Sequence, residues 1–196
     1  MAVGSWRGHE GRLVPPPTAN RQLKYMNSIT LSTLSTRITG VFPAQIRAAV
    51  APLTDEQLWW RPNEASNSIA NILLHLTGSL NHFLNRNLGG IDFTRDRTAE
   101  FSDRSGASKA EVMAKFDDMV AKATETFARM TPERLGDPSP EPTMHDIVVQ
   151  DLINIAVHFA NHAGQIVWIA KMFDGGNLHE IWMKTHKSEG AWKPRA

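Results

Sequence analysis

The sequence predicts an all-α protein built as a four-helix bundle. Four long segments repeat apolar residues at three-and-four spacing, and none alternates with the two-residue period of a strand. Runs rich in Pro, Gly, Asp and Arg separate them. Amphipathic helices of that length reach stability by burying their stripes against one another, and the bundle is the architecture that does so without a sheet.

The first helix is expected from about 28 to 50, with Ile29, Leu34, Ile38, Val41, Ile46 and Val50 available for burial. Pro43 in its middle predicts a kink, because proline has no amide hydrogen to donate and its ring crowds the preceding turn. The second is expected from about 68 to 88, where Ile69, Ile72, Leu73, Leu76, Leu80 and Phe83 form one stripe. Asn67 and Ser68 are suited to capping its amino terminus. Ser108-Lys109-Ala110-Glu111 has the form of a capping box and opens a third helix to about 130. Thr143-Met144-His145-Asp146 has the same form and opens a fourth to about 173, which Gly175-Gly176 ends. The connections 51–67, 89–107 and 131–142 exceed the shortest bundle turns and are expected to build the mouth of a site.

At 196 residues the chain suits one domain with tails. Residues 1–27, with Pro15, Pro16 and Pro17 in a row, read as an extended or disordered leader, and Met26 offers an alternative start. The bundle is expected over 28–176 and a C-terminal tail over 177–196. With 21 Lys+Arg against 20 Asp+Glu, dispersed along the chain, no strong field favours nucleic acid or an acidic membrane. There is no cysteine, so thiolate ligands, disulfides and cysteine nucleophiles are excluded together, as suits a reducing cytoplasm. No apolar run reaches the roughly 20 residues needed to span a bilayer. Walker, dinucleotide and serine-nucleophile motifs are absent from the sequence.

The chemistry concentrates in His158-Phe159-Ala160-Asn161-His162-Ala163-Gly164-Gln165 and in His75. Histidines at i and i+4 project from one helix face, so both imidazoles can reach one metal ion. His75 lies at the edge of the second helix's stripe, and a third imidazole from a neighbouring helix leaves one coordination position open, as catalytic sites require. A histidine beside an apolar face is more commonly a hydrogen-bonded boundary residue, and that reading stands beside the metal reading for all three. His82 reads as a partly exposed neighbour and His145 as a helix-start residue, while His9, His179 and His186 fall in the tails. Asp151 and Gln165, in the same column as the histidine pair, are candidates for orienting a ligand imidazole. Trp59, Trp60 and Pro62 are expected to plug the bundle end or wall a pocket. Arg95, Arg97 and Glu100 brace a loop or receive an anion. Gly164 is expected to permit close helix approach.

Leu58-Trp59-Trp60-Arg61-Pro62, Asn67-Ser68-Ile69 and Leu74-His75-Leu76 resemble the second-helix region of the DinB/YfiT-like superfamily. Arg95-Asp96-Arg97-Thr98-Ala99-Glu100-Phe101 and the His158-to-Ile166 segment are similar to the loop and last-helix signatures of its DUF1572-type branch. The resemblance covers about 28 to 173, and the ending after Gly176 departs from the branch pattern. It implies a four-helix bundle whose second-helix histidine and last-helix pair, here His75, His158 and His162, bind a divalent metal. Relatives include metal-dependent transferases of low-molecular-weight thiols such as bacillithiol and mycothiol. The expectation is therefore a cytoplasmic metal-binding protein with zinc first and nickel second as its metal. It would act as a thiol transferase or as a hydrolase on a small-molecule substrate, with no nucleic-acid or membrane partner. The alternative is a non-enzymatic bundle with a structural or ligand-sensing metal site. The assembly is left open between monomer and homodimer.

Overall fold

A computed structural model describes residues 18–140, 145–174 and 181. Its elements are α1 (Ala19–Ser35), a π-helical segment (Thr36–Val41), α2 (Phe42–Val50), α3 (Asp55–Trp59), α4 (Ile69–Leu80) and a second π-helical segment (Asn81–Arg86). These are followed by α5 (Arg97–Ser102), α6 (Lys109–Arg129), a 3-10 turn (Pro132–Gly136) and α7 (Val148–Lys171). No strand occurs among the described residues; an isolated bridge joins Pro138 to Ile147. The all-α expectation holds: four long helical runs pack together, with α2 along α7 and α4 against α6 and α7. No helix among the described residues is long and apolar enough to cross a membrane.

The first run is continuous in helical structure through Pro43, and a widened π-helical turn stands immediately before it, where the irregularity was expected. Widening the turn relieves the crowding that the proline ring imposes on the preceding carbonyls. The helix begins at Ala19 rather than near 28, so residues 19–27 of the expected leader are helical. That stretch holds no Gly or Pro, but Leu23, Tyr25 and Met26 are exposed, so it lacks the stripe that marks a buried helix. Ile29, expected in the core, is 42% exposed for the same reason. Lys24 pairs with Glu133 at 3.2 Å, tying this extension to the 3-10 turn.

In the second run Ser68 caps α4, its hydroxyl accepting the Asn71 amide hydrogen at 3.1 Å. The π-helical segment adds residues to a turn and shifts the stripe, so Leu84 is fully buried where Phe83 had been expected. Ser108 and Glu111 form the expected capping box of α6. The fourth helix begins later than the Thr143 signature implied. The Gln150 side-chain oxygen accepts the amide hydrogens of Asp146 and Ile147 at 2.9 and 3.2 Å, and Val148 is the first helical residue. Thr143, Gly175-Gly176, residues 1–17 with His9, and the C-terminal tail with His179 and His186, Ile181 excepted, lie outside the described residues.

The core joins Ile38, Ile46 and Val50 of the first run to Leu73, Leu76, Leu80 and Leu84 of the second. Phe116 and Met119 of α6 and Leu152, Phe159 and Ile166 of α7 complete it. Trp59 closes the bundle end, its indole donating to the Ala107 carbonyl at 2.8 Å, and Trp60 meets Phe173 edge to face. Gly164 makes no close approach: a Cβ there would meet nothing within 4 Å among the described residues, because it faces away from the core.

Candidate metal centre

The stripe of α4 places His75 against the α7 interface, and the i, i+4 spacing on α7 brings His158 and His162 to the same point. The Nε2 atoms of His75 and His162 each lie 3.0 Å from His158 Nε2, and the three nitrogens all lie within 4.8 Å of one another. His75 is buried, whereas His158 and His162 are half-buried and reach solvent. The rings stand nearly perpendicular to one another, with centroids 4.6 to 5.0 Å apart.

The opposite ring nitrogens are engaged. His75 Nδ1 donates to Glu100 Oε2 at 2.9 Å, and His162 Nδ1 donates to Gln165 Oε1 at 2.7 Å. A carboxylate and an amide oxygen can only accept, so in both rings the proton sits on Nδ1 and the Nε2 lone pair faces the cluster. Two lone pairs aimed at His158 Nε2 call for a cation, since one proton on His158 satisfies only one of them. The residues therefore fit a divalent metal held by neutral imidazoles.

Glu100, expected to brace a loop or receive an anion, stands behind the cluster, a placement the sequence did not mark. Arg95 grips its carboxylate with two charge-assisted hydrogen bonds of 2.7 and 2.8 Å, so the expected ion pair exists, yet the other side of that carboxylate holds His75. Asn71 of α4 donates to the Glu100 and Asp103 carbonyls at 3.1 Å each, fixing α5 over the cluster. Phe101 stacks at a tilt on the His75 ring with centroids 4.6 Å apart, and Arg97 lies over Phe101. Asp151, expected to orient a ligand imidazole, instead receives hydrogen bonds from His145 Nδ1 at 2.8 Å and Ser139 Oγ at 2.5 Å, clasping the preceding loop to α7. The physical signal for Glu100 was a carboxylate within a matched loop motif. Its contact with a helix 25 residues earlier is visible only in three dimensions.

Gly78, one turn beyond His75, is a second residue against this carboxylate that the sequence did not mark. A Cβ there would stand 1.9 Å from Glu100 Oε1, so the absent side chain is what lets the carboxylate lie against α4. Gly78→Ala is expected to push Glu100 off His75 and to lower stability by about 1–3 kcal/mol, the usual range for overpacking. Urea denaturation measures it, and an unchanged midpoint would show that Glu100 is held less tightly than the geometry implies.

Burial lowers the pKa of His75, outweighing the opposing hydrogen bond to Glu100. Burial, reinforced by the charges of His162, His75, Arg95 and Arg97, lowers that of His158 to about 4. Burial pushes Glu100 upward, but its bonds to Arg95 and His75 prevail and hold it below the ordinary value. A histidine whose folded pKa is depressed binds fewer protons folded than unfolded. The metal-free protein should therefore lose stability as pH falls from the ordinary value of 6.5 toward 4 and level off below that, as far as His158 is concerned. His158→Gln should flatten the pH dependence of the melting temperature in that window; an unchanged slope would assign it to other groups.

A helical bundle with a three-histidine cluster between two of its helices, and a carboxylate–arginine pair behind one histidine, defines a class of candidate metal-binding bundles. The family model of the DinB superfamily matches residues 41–166, more than half of the chain and all three histidines, and the chain belongs to that superfamily. No curated protein and no solved structure matches it.

Proposed function

We propose that His75, His158 and His162 bind one divalent metal through their Nε2 atoms, zinc first and nickel second, and that the protein is a metal-dependent enzyme. The observation that carries this reading is the convergence of three Nε2 atoms with the Nδ1 of both flanking rings already satisfied. A bound divalent cation supplies Lewis acidity, lowering the pKa of a coordinated thiol or water so that a nucleophile exists near neutral pH. Neutral imidazoles leave the cation's charge undiminished, which favours an anionic thiolate or hydroxide. Transfer of a low-molecular-weight thiol, or hydrolysis of a small molecule, are the reactions that follow. The DUF1572-type branch, a cytoplasmic location and a small-molecule partner belong to the same proposal.

The protein's own residues have separable tasks. Glu100 fixes the His75 tautomer, Arg95 keeps Glu100 ionised, and Gln165 does for His162 what Glu100 does for His75. Arg97, exposed beside Phe101, is placed to attract an anionic substrate. The half-buried state of His158 and His162 supports an open site over the sealed one that a purely structural metal would need. Zinc- and nickel-loaded protein should transfer a thiol from a panel of low-molecular-weight thiols to an electrophilic acceptor, or hydrolyse small esters or amides, and chelation should abolish the activity. Metal binding with no turnover across that panel would overturn the catalytic reading in favour of the structural or ligand-sensing one.

A further inference from the structure

Helix α5 has six residues, too few to keep a helical shape without outside contacts. Yet it brings two side chains to His75: Glu100 accepts the Nδ1 proton, and Phe101 packs on the ring. Its amino terminus is capped by Asp96, whose carboxylate accepts the Ala99 amide hydrogen at 2.9 Å. The carbonyls at its carboxy terminus need donors from elsewhere. Arg104 reaches back to the Phe101 and Asp103 carbonyls at 2.8 and 2.7 Å, from the solvent side. From the core side the donor is Asn71.

Asn71 is fully buried, one helical turn before His75 and on the same face of α4. Its neighbours Ile69, Ile72 and Leu73 are buried and apolar, and an amide among them is costly unless its hydrogen bonds are made. They are. Nδ2 donates one proton to the Glu100 carbonyl and the other to the Asp103 carbonyl, each at 3.1 Å. Carbonyls only accept, so the amide cannot be turned the other way round. Oδ1 accepts the Ser68 hydroxyl hydrogen at 2.9 Å and an Arg104 hydrogen at 3.4 Å, which uses both lone pairs. A buried amide saturated in this way has one orientation, and rotating it would strand several groups at once. The residue that it grips by the backbone is the same Glu100 whose carboxylate holds His75. Histidine and clamp therefore rise from one helix face, which fixes the separation between Glu100 and the ring.

We infer that Asn71 is a positioning residue of the histidine cluster. By gripping the Glu100 and Asp103 carbonyls it keeps Glu100 on His75 Nδ1, and so keeps the His75 Nε2 lone pair turned into the cluster. Its effect on metal affinity rests on the metal reading above; its effect on the His75 tautomer needs no metal. Asn71→Ala removes the amide and spares the α4 cap, because Ser68 accepts the backbone hydrogen of residue 71. In the metal-free wild type, above the ordinary imidazole pKa of about 6.5, nitrogen-15 spectra should show His75 as a single tautomer protonated at Nδ1. In the variant both tautomers should appear. Zinc affinity should fall by about 10–100-fold, the range for a partner that orients a ligand. In the Glu100→Leu, Arg95→Met background, Asn71→Ala should change zinc affinity no further, because the route through Glu100 is already cut. A merely structural asparagine would lower affinity equally in both backgrounds and leave the tautomer alone. Either of those results would overturn the inference. If the variant does not fold, the wild type decides: the Asn71 side-chain protons should exchange with solvent as slowly as the core amides of α4, and free exchange would overturn the inference. A wild type that binds no zinc at the histidines would sink the metal reading, and the tautomer comparison would then decide the role of Asn71 by itself.

Discussion

His158→Ala should remove nearly all bound metal while the bundle stays folded. His158 Nε2 is the atom within 3.0 Å of both other Nε2 atoms, so its loss leaves two imidazoles with no third to close the set. The affinity loss should exceed the roughly 10–100-fold that follows from removing a partner which only orients a ligand. The helix should survive, because His158 lies on the flank of α7 while Phe159 and Ile155 hold the core. Competition against a chromophoric chelator, read beside circular dichroism, separates the two effects. A variant that keeps wild-type affinity would place the metal elsewhere.

Glu100→Ala should act on stability and metal together. The pair it breaks is buried, with 6% of the Glu100 side chain and 10% of the Arg95 side chain exposed. Removing one member leaves an uncompensated buried charge, which costs about 3–5 kcal/mol. His75 Nδ1 loses its acceptor at the same time, which should weaken metal affinity by roughly 10–100-fold. Combining Glu100→Leu with Arg95→Met removes both charges and should recover much of the stability, because apolar replacements of a buried pair are often neutral. It should recover none of the metal affinity. Urea unfolding in the presence of chelator, and metal competition without it, measure the two quantities. If affinity returned along with stability, Glu100 would be a brace for the loop and nothing more.

The parts of the fold legible in the sequence are those set by local periodicity. The stripe of α7 could be read from Val148, Leu152, Ile155, Phe159, Ile166 and Ala170, all of which are buried, and the capping box fixed the start of α6 at Lys109. The convergence of His75 with His158 and His162 was legible because a stripe edge and an i, i+4 pair are both helical geometry, joined by a family motif. What escaped depends on events that periodicity does not encode. The π-helical turn at Asn81–Arg86 moves the stripe from Phe83 to Leu84, and a regular helical wheel cannot anticipate an added residue. The Thr143 signature misplaced the start of α7 because Gln150 caps it from inside the helix. Asp151 shares a helix with the histidine pair and was the natural candidate for an orienting carboxylate. The loop instead delivers Glu100 from outside, through a gap that Gly78 leaves open. A glycine inside a helix and a carboxylate in a distant loop show no link in sequence; only the packed structure makes one explain the other.

The central claim is that one metal ion sits among three specific nitrogens. Anomalous diffraction at the zinc edge, from crystals grown with one equivalent of zinc, tests it most directly. A single strong peak is expected about 2.0–2.1 Å from each of His75, His158 and His162 Nε2. A strong peak elsewhere on the chain, or none within bonding distance of all three nitrogens, would contradict it.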